Sequence, residues 1–426
     1  MASLAAIELT RWRAFERTQR IELRPLTLFF GWNNSGKSAL LRALPILADS
    51  ASPLAASPLH LKGSAARGAS FRDVSWRAER KGMKIALEWS GEDGGRYEVE
   101  LMLDDTRVEQ PFIRVVRFAW KPTRGEQIDG TWTLADANGQ GAVFRFGPSL
   151  RTEAPVRFRG LAPASRNEDV AAAITPAVRQ IQSLEQTVQW LASVRRVPFE
   201  PVRIQEASPI EIAHDGSDVF DALAHAPGVL EGVSAWFREH ARRELELRSV
   251  GSGFVQPEFR HLASAHAQRL ADHGEGLLQV LPVLTAVERA RAIHQKDHPA
   301  PRVVAIEDPE SHLHPHMQLA LAKYLTEVVM DDDPPTLVLE THAQLVLQAL
   351  QLAAVGGASK RLDPSRVAIY WVEQGADEVS EVTRVRIDEN GELHGWPPDV
   401  YADVVDIARD YTSRRWKLGD AVPPRG

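Results

Sequence analysis

The stretch Gly31-Trp32-Asn33-Asn34-Ser35-Gly36-Lys37-Ser38 has the form GxxxxGKS, and the residues on either side of it decide the fold. Leu26 to Phe30 is an apolar run that reads as a buried strand. Ala39 to Leu47, with Leu40, Leu41 and Leu44 at helical spacing, reads as a helix. Strand, glycine loop and helix in that order predict a phosphate-binding turn in an α/β domain. Gly31 and Gly36 let the backbone curl so that several N–H groups point at the β- and γ-phosphates, and the helix N-terminus adds its positive end. Lys37 is expected to pair with phosphate oxygens and Ser38 to place its hydroxyl on Mg²⁺. Asn33, Asn34 and Ser35 complete the nucleotide-binding loop. The implied ligand is a nucleoside triphosphate.

The rest of the composition narrows the class. With 426 residues the chain can bury an ample core. Its formal net charge of -7 implies no global attraction to nucleic acid, although a local basic groove is compatible with it. No cysteine is present, so disulfides, thiolate zinc sites and cysteine nucleophiles are excluded. No apolar segment has membrane-spanning length and the N-terminus lacks a signal-peptide core, so a cytoplasmic protein without a membrane partner is expected.

Outward from the loop, Ala5 to Thr10 reads as a strand, and Ser50 to Ser70, rich in Ser, Ala, Pro and Gly, as a mobile surface loop. Between Met83 and Arg159 short strands follow one another: Lys84–Trp89, Tyr97–Leu103, Phe112–Trp120, Thr131–Leu134 and Ala142–Phe146. Their turns are glycine- and aspartate-rich, as in an antiparallel sheet. A helix is predicted from Glu168 to Val194, with Val178, Ile181, Leu184, Val188 and Leu191 on one face. A helical stretch from Val219 to Arg243 precedes strand-like sequence around Leu245–Phe259. Val367–Val372 and Val382–Ile387 read as a hairpin, and Arg414 to Gly426 as a frayed tail.

Two further strands end in chemistry. Val303-Val304-Ala305-Ile306 runs into Glu307-Asp308-Pro309-Glu310, which puts two carboxylates at the C-terminal end of a buried strand. One such acid can hold Mg²⁺ and the other can orient or deprotonate an attacking water. Thr336 to Leu339 ends in Glu340-Thr341-His342, where a histidine can reach the γ-phosphate or the water. His312, His314 and His316 would share a face if extended, but nothing completes a metal set with them.

Together these motifs resemble the ABC-type ATPases of the SMC and RecF kind, in particular a bacterial group related to OLD-family proteins. The resemblance rests on Gly31, Asn33, Gly36, Lys37 and Ser38 in the loop. It also rests on Glu307 to Pro315 against a Walker B segment of the form EEPExHLHP, and on Thr341-His342 at the switch position. It implies an α/β head with a mixed central sheet, an antiparallel β subdomain, and a helical lobe inserted between Walker A and Walker B. The implied divisions are 1–80 and 261–360 as ATPase lobes, 81–160 as the β subdomain, 161–260 as the insert and 361–426 as hairpin and tail.

The resemblance further implies ATP and Mg²⁺ as cofactors, with Glu307 as the Mg²⁺-associated acid beside Ser38. Asp308, one methylene shorter than the usual glutamate, is the implied catalytic carboxylate, acting with Lys37 and His342. The signature segment corresponds to Asp272 to Pro282, from which Gly274, Gly276 and Gln279 would reach a partner's nucleotide; Leu278 stands where many relatives have serine. An arginine or aromatic among Trp12, Arg13 and Phe15 is expected to cover the adenine, with Arg13 counted among the nucleotide-binding residues and Trp12 equally readable as core.

The function expected is ATP hydrolysis in a nucleotide-sandwich homodimer, driving or gating a partner in DNA repair or anti-phage defence, with DNA a plausible ligand. The alternative is a slow-turnover, ATP-controlled scaffold that regulates a separate nuclease or toxin. Glu373, Asp377 and Glu378 form no convincing nuclease set, so the effector is expected to be a separate protein. The middle-lobe arginines Arg151, Arg157, Arg159, Arg195, Arg196 and Arg203 read as a solvated face rather than a groove.

Overall fold

The structure is a computed structural model that describes residues 2–104, 112–135, 142–147, 149–206, 211–264, 266–292, 302–356, 361–398 and 400. The tail expected from Arg414 to Gly426 lies outside these residues. Among the described residues three sheets form.

The central sheet holds seven strands: β1 (Leu26–Gly31), β2 (Val188–Leu191), β3 (Val303–Glu307), β4 (Thr336–Glu340), β5 (Val367–Gln374), β6 (Ser380–Ile387) and β7 (Leu393–His394), in the order β2-β3-β4-β1-β5-β6-β7. The first five are parallel, and β6 and β7 are antiparallel to their neighbours. Parallel strands need cover on both faces, and the sequence supplies it. In β1, Leu26, Leu28 and Phe30 join one core while Phe29 joins the other. The same alternation divides Val304 and Ile306 from Val303 and Ala305 in β3. The hairpin foreseen in the last part of the chain is thus built into this sheet, with β5 directly beside β1.

Nine antiparallel strands make the second sheet, and every strand expected between Met83 and Arg159 is present in it. Ser3–Thr10 and Gln19–Glu22 extend it, as do Glu153–Arg159 and Ala162–Ser165, which the sequence did not disclose. A small third sheet contains the hairpin Arg243–Gly251 and Phe254–His261. One core lies between the nine-stranded sheet and the central sheet. The other lies between the central sheet and helices that include Glu275–Arg291, Pro315–Val329 and Gln344–Val355. No helix among the described residues is long and apolar enough to cross a membrane.

Three expectations are corrected. The helix from Glu168 stops at Thr187, and Val188-Gln189-Trp190-Leu191 becomes β2, paired in parallel with β3. All four of those residues are buried, which a helix with one wet face could not achieve. Gln189 tolerates burial because its amide donates to the Ile212 carbonyl at 2.8 Å and accepts from the Ile212 N–H at 2.7 Å. The stretch from Val219 to Arg243 is two helices, Val219–Ala224 and Pro227–Ala241, because Pro227 has no N–H to continue the first one. The segment from Ser50 to Ser70 is packed rather than free: Ala55, Leu59, Ala65 and Ala66 are buried, and Ser50 Oγ accepts the His60 N–H at 2.8 Å.

Candidate nucleotide site

The site forms where β1, β3 and β4 end side by side. β1 runs into the loop at Gly31, whose φ is 149°; a Cβ there would lie 1.9 Å from the Val372 carbonyl oxygen of β5. Only glycine allows that approach. Gly36, at φ 106°, would put a Cβ 2.9 Å from the ring of buried Phe15. Gly36 starts the helix Lys37–Leu41, which continues through Arg42 (φ −69°, ψ −12°) into Ala43–Ala51. Ala39 and Leu40 donate to the Gly36 carbonyl at 3.0 and 3.2 Å, while the Lys37 and Ser38 N–H groups precede the first helical acceptor. The loop thus leads from the end of β1 directly into a helix N-terminus.

Lys37 is 3% exposed, and its ammonium donates to the carbonyls of Gly31 at 3.0 Å and Trp32 at 2.7 Å. Burial holds its pKa below the usual lysine value, against the opposing pull of Glu340 and Asp308. Ser35 is buried with an unpartnered Oγ, while Asn33 and Asn34 are exposed and Asn34 has a φ of 65°. Arg13 is half-buried beside Arg42 and Arg67, with its Nε buried and unpartnered; burial and those two cations lower its pKa. Trp12 and Phe15 are core residues, and Trp12 Nε1 donates to the Ala39 carbonyl at 2.9 Å. Of that trio Phe15 packs against Gly36 of the loop, and Arg13 keeps unused hydrogen-bonding capacity.

The acids at the strand ends are arranged differently from the motif reading. Glu307, expected to hold the metal, is 2% exposed and fully engaged. Its Oε1 accepts from Arg42 Nε at 2.6 Å and Trp190 Nε1 at 3.1 Å, and its Oε2 accepts from Arg42 Nη2 at 2.5 Å. The carboxylate beside Ser38 is instead Glu340, whose Oε1 accepts the Ser38 hydroxyl at 2.8 Å. Its Oε2 is buried without a partner. Burial, with Glu307 and Asp308 nearby, pushes Glu340 up to about 7.

Asp308 follows β3 at a φ of 42°, and its backbone N–H donates to the Glu340 carbonyl at 2.9 Å. Its side chain is partly exposed, with Oδ1 3.9 Å from His342 Nε2. Burial raises the Asp308 pKa and lowers that of His342, where Lys37 acts in the same direction. The expected pair thus meets at the mouth of the loop. Glu310 positions this mouth: its Oε1 accepts from Thr341 Oγ1 at 2.6 Å, His342 N at 3.1 Å and Ala343 N at 3.2 Å. The sequence offered no signal for that role beyond one more acid after the strand.

The signature segment is split. Gly274 is exposed at the start of the helix Glu275–Arg291, with nothing within 4 Å of its Cβ direction. Gly276 packs its Cα against the His312 carbonyl, where a Cβ would be 2.6 Å away. Gln279, expected to reach a partner's nucleotide, is 5% exposed: its Nε2 donates to the Arg195 carbonyl at 2.8 Å and its Oε1 accepts the Arg195 N–H at 3.3 Å. Arg195 is correspondingly no solvated residue. It is 3% exposed, donates to the Glu307 carbonyl at 2.5 Å, and is lowered by burial to about 10. The other five middle-lobe arginines are exposed, except that Arg151 also sits at a φ of 40°. His312, His314 and His316 form no ligand cluster among the described residues, where the one group of three or more possible ligands is Asp388, Glu392 and His394.

A family model described as "AAA domain, putative AbiEii toxin, Type IV TA system" matches residues 26–348, a span that runs from β1 past His342. Among solved structures, the SMC head domain from Thermotoga maritima is similar at 11% identity and a TM-score of 0.46, covering 90% of this chain and 99% of that one. An SMC head bound to the C-winged helix domain of ScpA is similar at 12% identity and a TM-score of 0.48, covering 91% and 98%. A comparison with curated proteins found no match. Because the match spans well over half of the chain, this chain belongs to that AAA-domain family.

Proposed function

We propose that the protein is a Mg²⁺-dependent ATPase whose nucleotide sits between two copies of the chain. The observation that carries this is the meeting of Lys37, Ser38, Asp308 and His342 at the ends of three adjacent parallel strands. The residues present fit a metal–triphosphate: the glycine-lined loop leaves no room for a Cβ, and Ser35 Oγ, Arg13 Nε and Glu340 Oε2 are buried without partners. Lys37 and the loop amides bind the β- and γ-phosphates, Arg13 lies on the nucleotide side, and Ser38 with a strand-end acid holds Mg²⁺. The bound metal would neutralise charge developing on the phosphate oxygens.

Hydrolysis is an in-line displacement. Asp308 accepts a hydrogen bond from the attacking water and takes its proton, the new O–P bond forms, and the bond to the bridging oxygen breaks to leave ADP and phosphate. His342, whose pKa is depressed, is neutral near pH 7 and can accept or donate a hydrogen bond at the γ-phosphate. The exposed N-terminus of Glu275–Arg291 at Gly274 supplies N–H groups to the nucleotide of the opposite copy. Gly276 and the buried Gln279 shape that helix start from behind. The cycle drives or gates a separate effector in DNA repair or anti-phage defence, with DNA a possible ligand.

A second reading is favoured by one feature: the Asp308 carboxylate is short and sits on a backbone in the left-handed region. Such a centre suits slow turnover, in which the ATP state acts as a scaffold that restrains a nuclease or toxin. Size measurement with ATP tests the dimer: Asp308→Asn should accumulate an ATP-bound dimer, and Lys37→Ala should bind no ATP. A strictly monomeric Asp308→Asn with ATP bound would refute the sandwich. Turnover measured with and without DNA separates the two readings.

A further inference from the structure

We propose that Glu340, not Glu307, is the carboxylate that holds the divalent cation together with Ser38, and that Glu307 is a structural residue committed to Arg42. The assignment rests on the nucleotide reading above and names the acid that the reading leaves open.

Sheet order is the first ground. β4, which carries Glu340, lies directly against β1, and Glu340 pairs in register with Phe29. β3, which carries Glu307, is one strand further from the phosphate loop, an added distance of about 4.8 Å. Glu307 and Glu340 are themselves register partners at the ends of β3 and β4. Two buried acids side by side repel unless each is neutralised separately.

The neutralising groups are already apportioned. Arg42 grips Glu307 through both oxygens, Trp190 adds a third donor, and the side chains of Arg42 and Glu307 are 8% and 2% exposed. These three donors commit both oxygens of Glu307 to groups other than Ser38. To ligate a cation, Glu307 would have to release a buried guanidinium, leaving Arg42 uncompensated.

Glu340 has the opposite character. One oxygen touches the Ser38 hydroxyl and the other is buried with no partner, so the group has unused acceptor capacity within the site. Ser38 and Glu340 present hard oxygen ligands, the kind Mg²⁺ selects. The Ser38 hydroxyl and Glu340 Oε1 already lie within hydrogen-bonding distance, at 2.8 Å, so the two oxygens would reach one ion together.

The test measures Mn²⁺ affinity by electron paramagnetic resonance, with ATP bound to the full chain, for wild type, Glu340→Gln and Glu307→Gln. ATP affinity in EDTA is measured alongside. Glu340→Gln should keep metal-free ATP binding and lose Mn²⁺ affinity by at least the roughly 10–100-fold that follows even from removal of an outer-shell partner. Glu307→Gln, where it folds, should hold Mn²⁺ within about two-fold of wild type, since no ligand is removed. Loss of Mn²⁺ from Glu307→Gln with retention by Glu340→Gln overturns the assignment, as does retention by both.

Crystals of the wild-type chain with Mn²⁺ and ATP give an answer independent of how the variants fold. An anomalous peak at Ser38 and Glu340 with the Arg42–Glu307 pair intact supports the proposal. A peak on Glu307 with that pair broken refutes it. If wild type binds no ATP even in EDTA, the nucleotide reading itself fails and takes this assignment with it. Metal-free ATP binding with Mn²⁺ on Glu307 sinks the assignment alone.

Discussion

Replacing Arg42 by Met should destabilise the protein more than any exposed charge change, and the structure says by how much. The guanidinium makes two short hydrogen bonds to Glu307, at 2.6 and 2.5 Å, in a place where both side chains are almost wholly buried. Removing one partner of a buried pair leaves the other charge without compensation, which costs about 3–5 kcal/mol. Trp190 still donates to Glu307 in the variant, so the lower half of that range is expected. Against a total stability of about 5–15 kcal/mol this is a large share. For a chain of 426 residues the midpoint of thermal unfolding should fall by roughly 3–5 °C. Arg42→Lys keeps the charge but cannot make the forked contact, so it should fall between Met and wild type.

The decisive assay is a double-mutant cycle by urea unfolding on Arg42→Met, Glu307→Leu and the pair together. If the pair is a structural clamp, the double variant should be more stable than at least one of the single variants, because no lone buried charge remains. A single Arg42→Met cost below about 1 kcal/mol, the level of a surface ion pair, would refute the reasoning. Strict additivity in the cycle would do the same.

Glu310→Ala should free the turn that carries His342, since one carboxylate oxygen holds three donors from Thr341, His342 and Ala343. Hydrogen exchange of those amides should speed up and kcat should fall with little change in metal-free ATP affinity; unchanged protection would argue against the positioning role. His273 supplies a pH prediction. Burial and the nearby Arg243 lower its pKa below 6.5, its Nε2 is buried without a partner, and its ring meets Phe259 edge-on at 5.2 Å. A depressed histidine contributes stability that is complete above its unfolded pKa and is lost as pH falls from 6.5 through the folded value. His273→Gln should flatten that acid-side loss in urea midpoints, and an unaltered slope would exclude His273 as its source.

Much of the fold was legible because its signals are local. The run Leu26 to Phe30, the glycines at 31 and 36, and the helix after them all act within a few residues, and each element is present. The antiparallel strands announced themselves by alternation and turn residues in the same way. Where the reading failed, a local signal was ambiguous. Val188 and Leu191 continue the helical spacing of the preceding residues, yet they also form an apolar run short enough for a strand, and only the free edge of β3 decides between them. A charge in the apolar helix after the loop, Arg42, was visible in the sequence, but its meaning needed a partner 265 positions away.

The sequence alone placed a glycine loop between a strand and a helix, and acids and a histidine at the ends of two further strands, because residue type at short spacing specifies each. Tertiary structure decided which acid meets which partner. Glu307 and Glu340 are equivalent as sequence, each an acid closing an apolar strand. They become different once sheet order sets one beside Ser38 and the other against Arg42 and Trp190. Burial then makes the difference consequential, since a charge out of reach of water is governed by the nearest partner the fold provides.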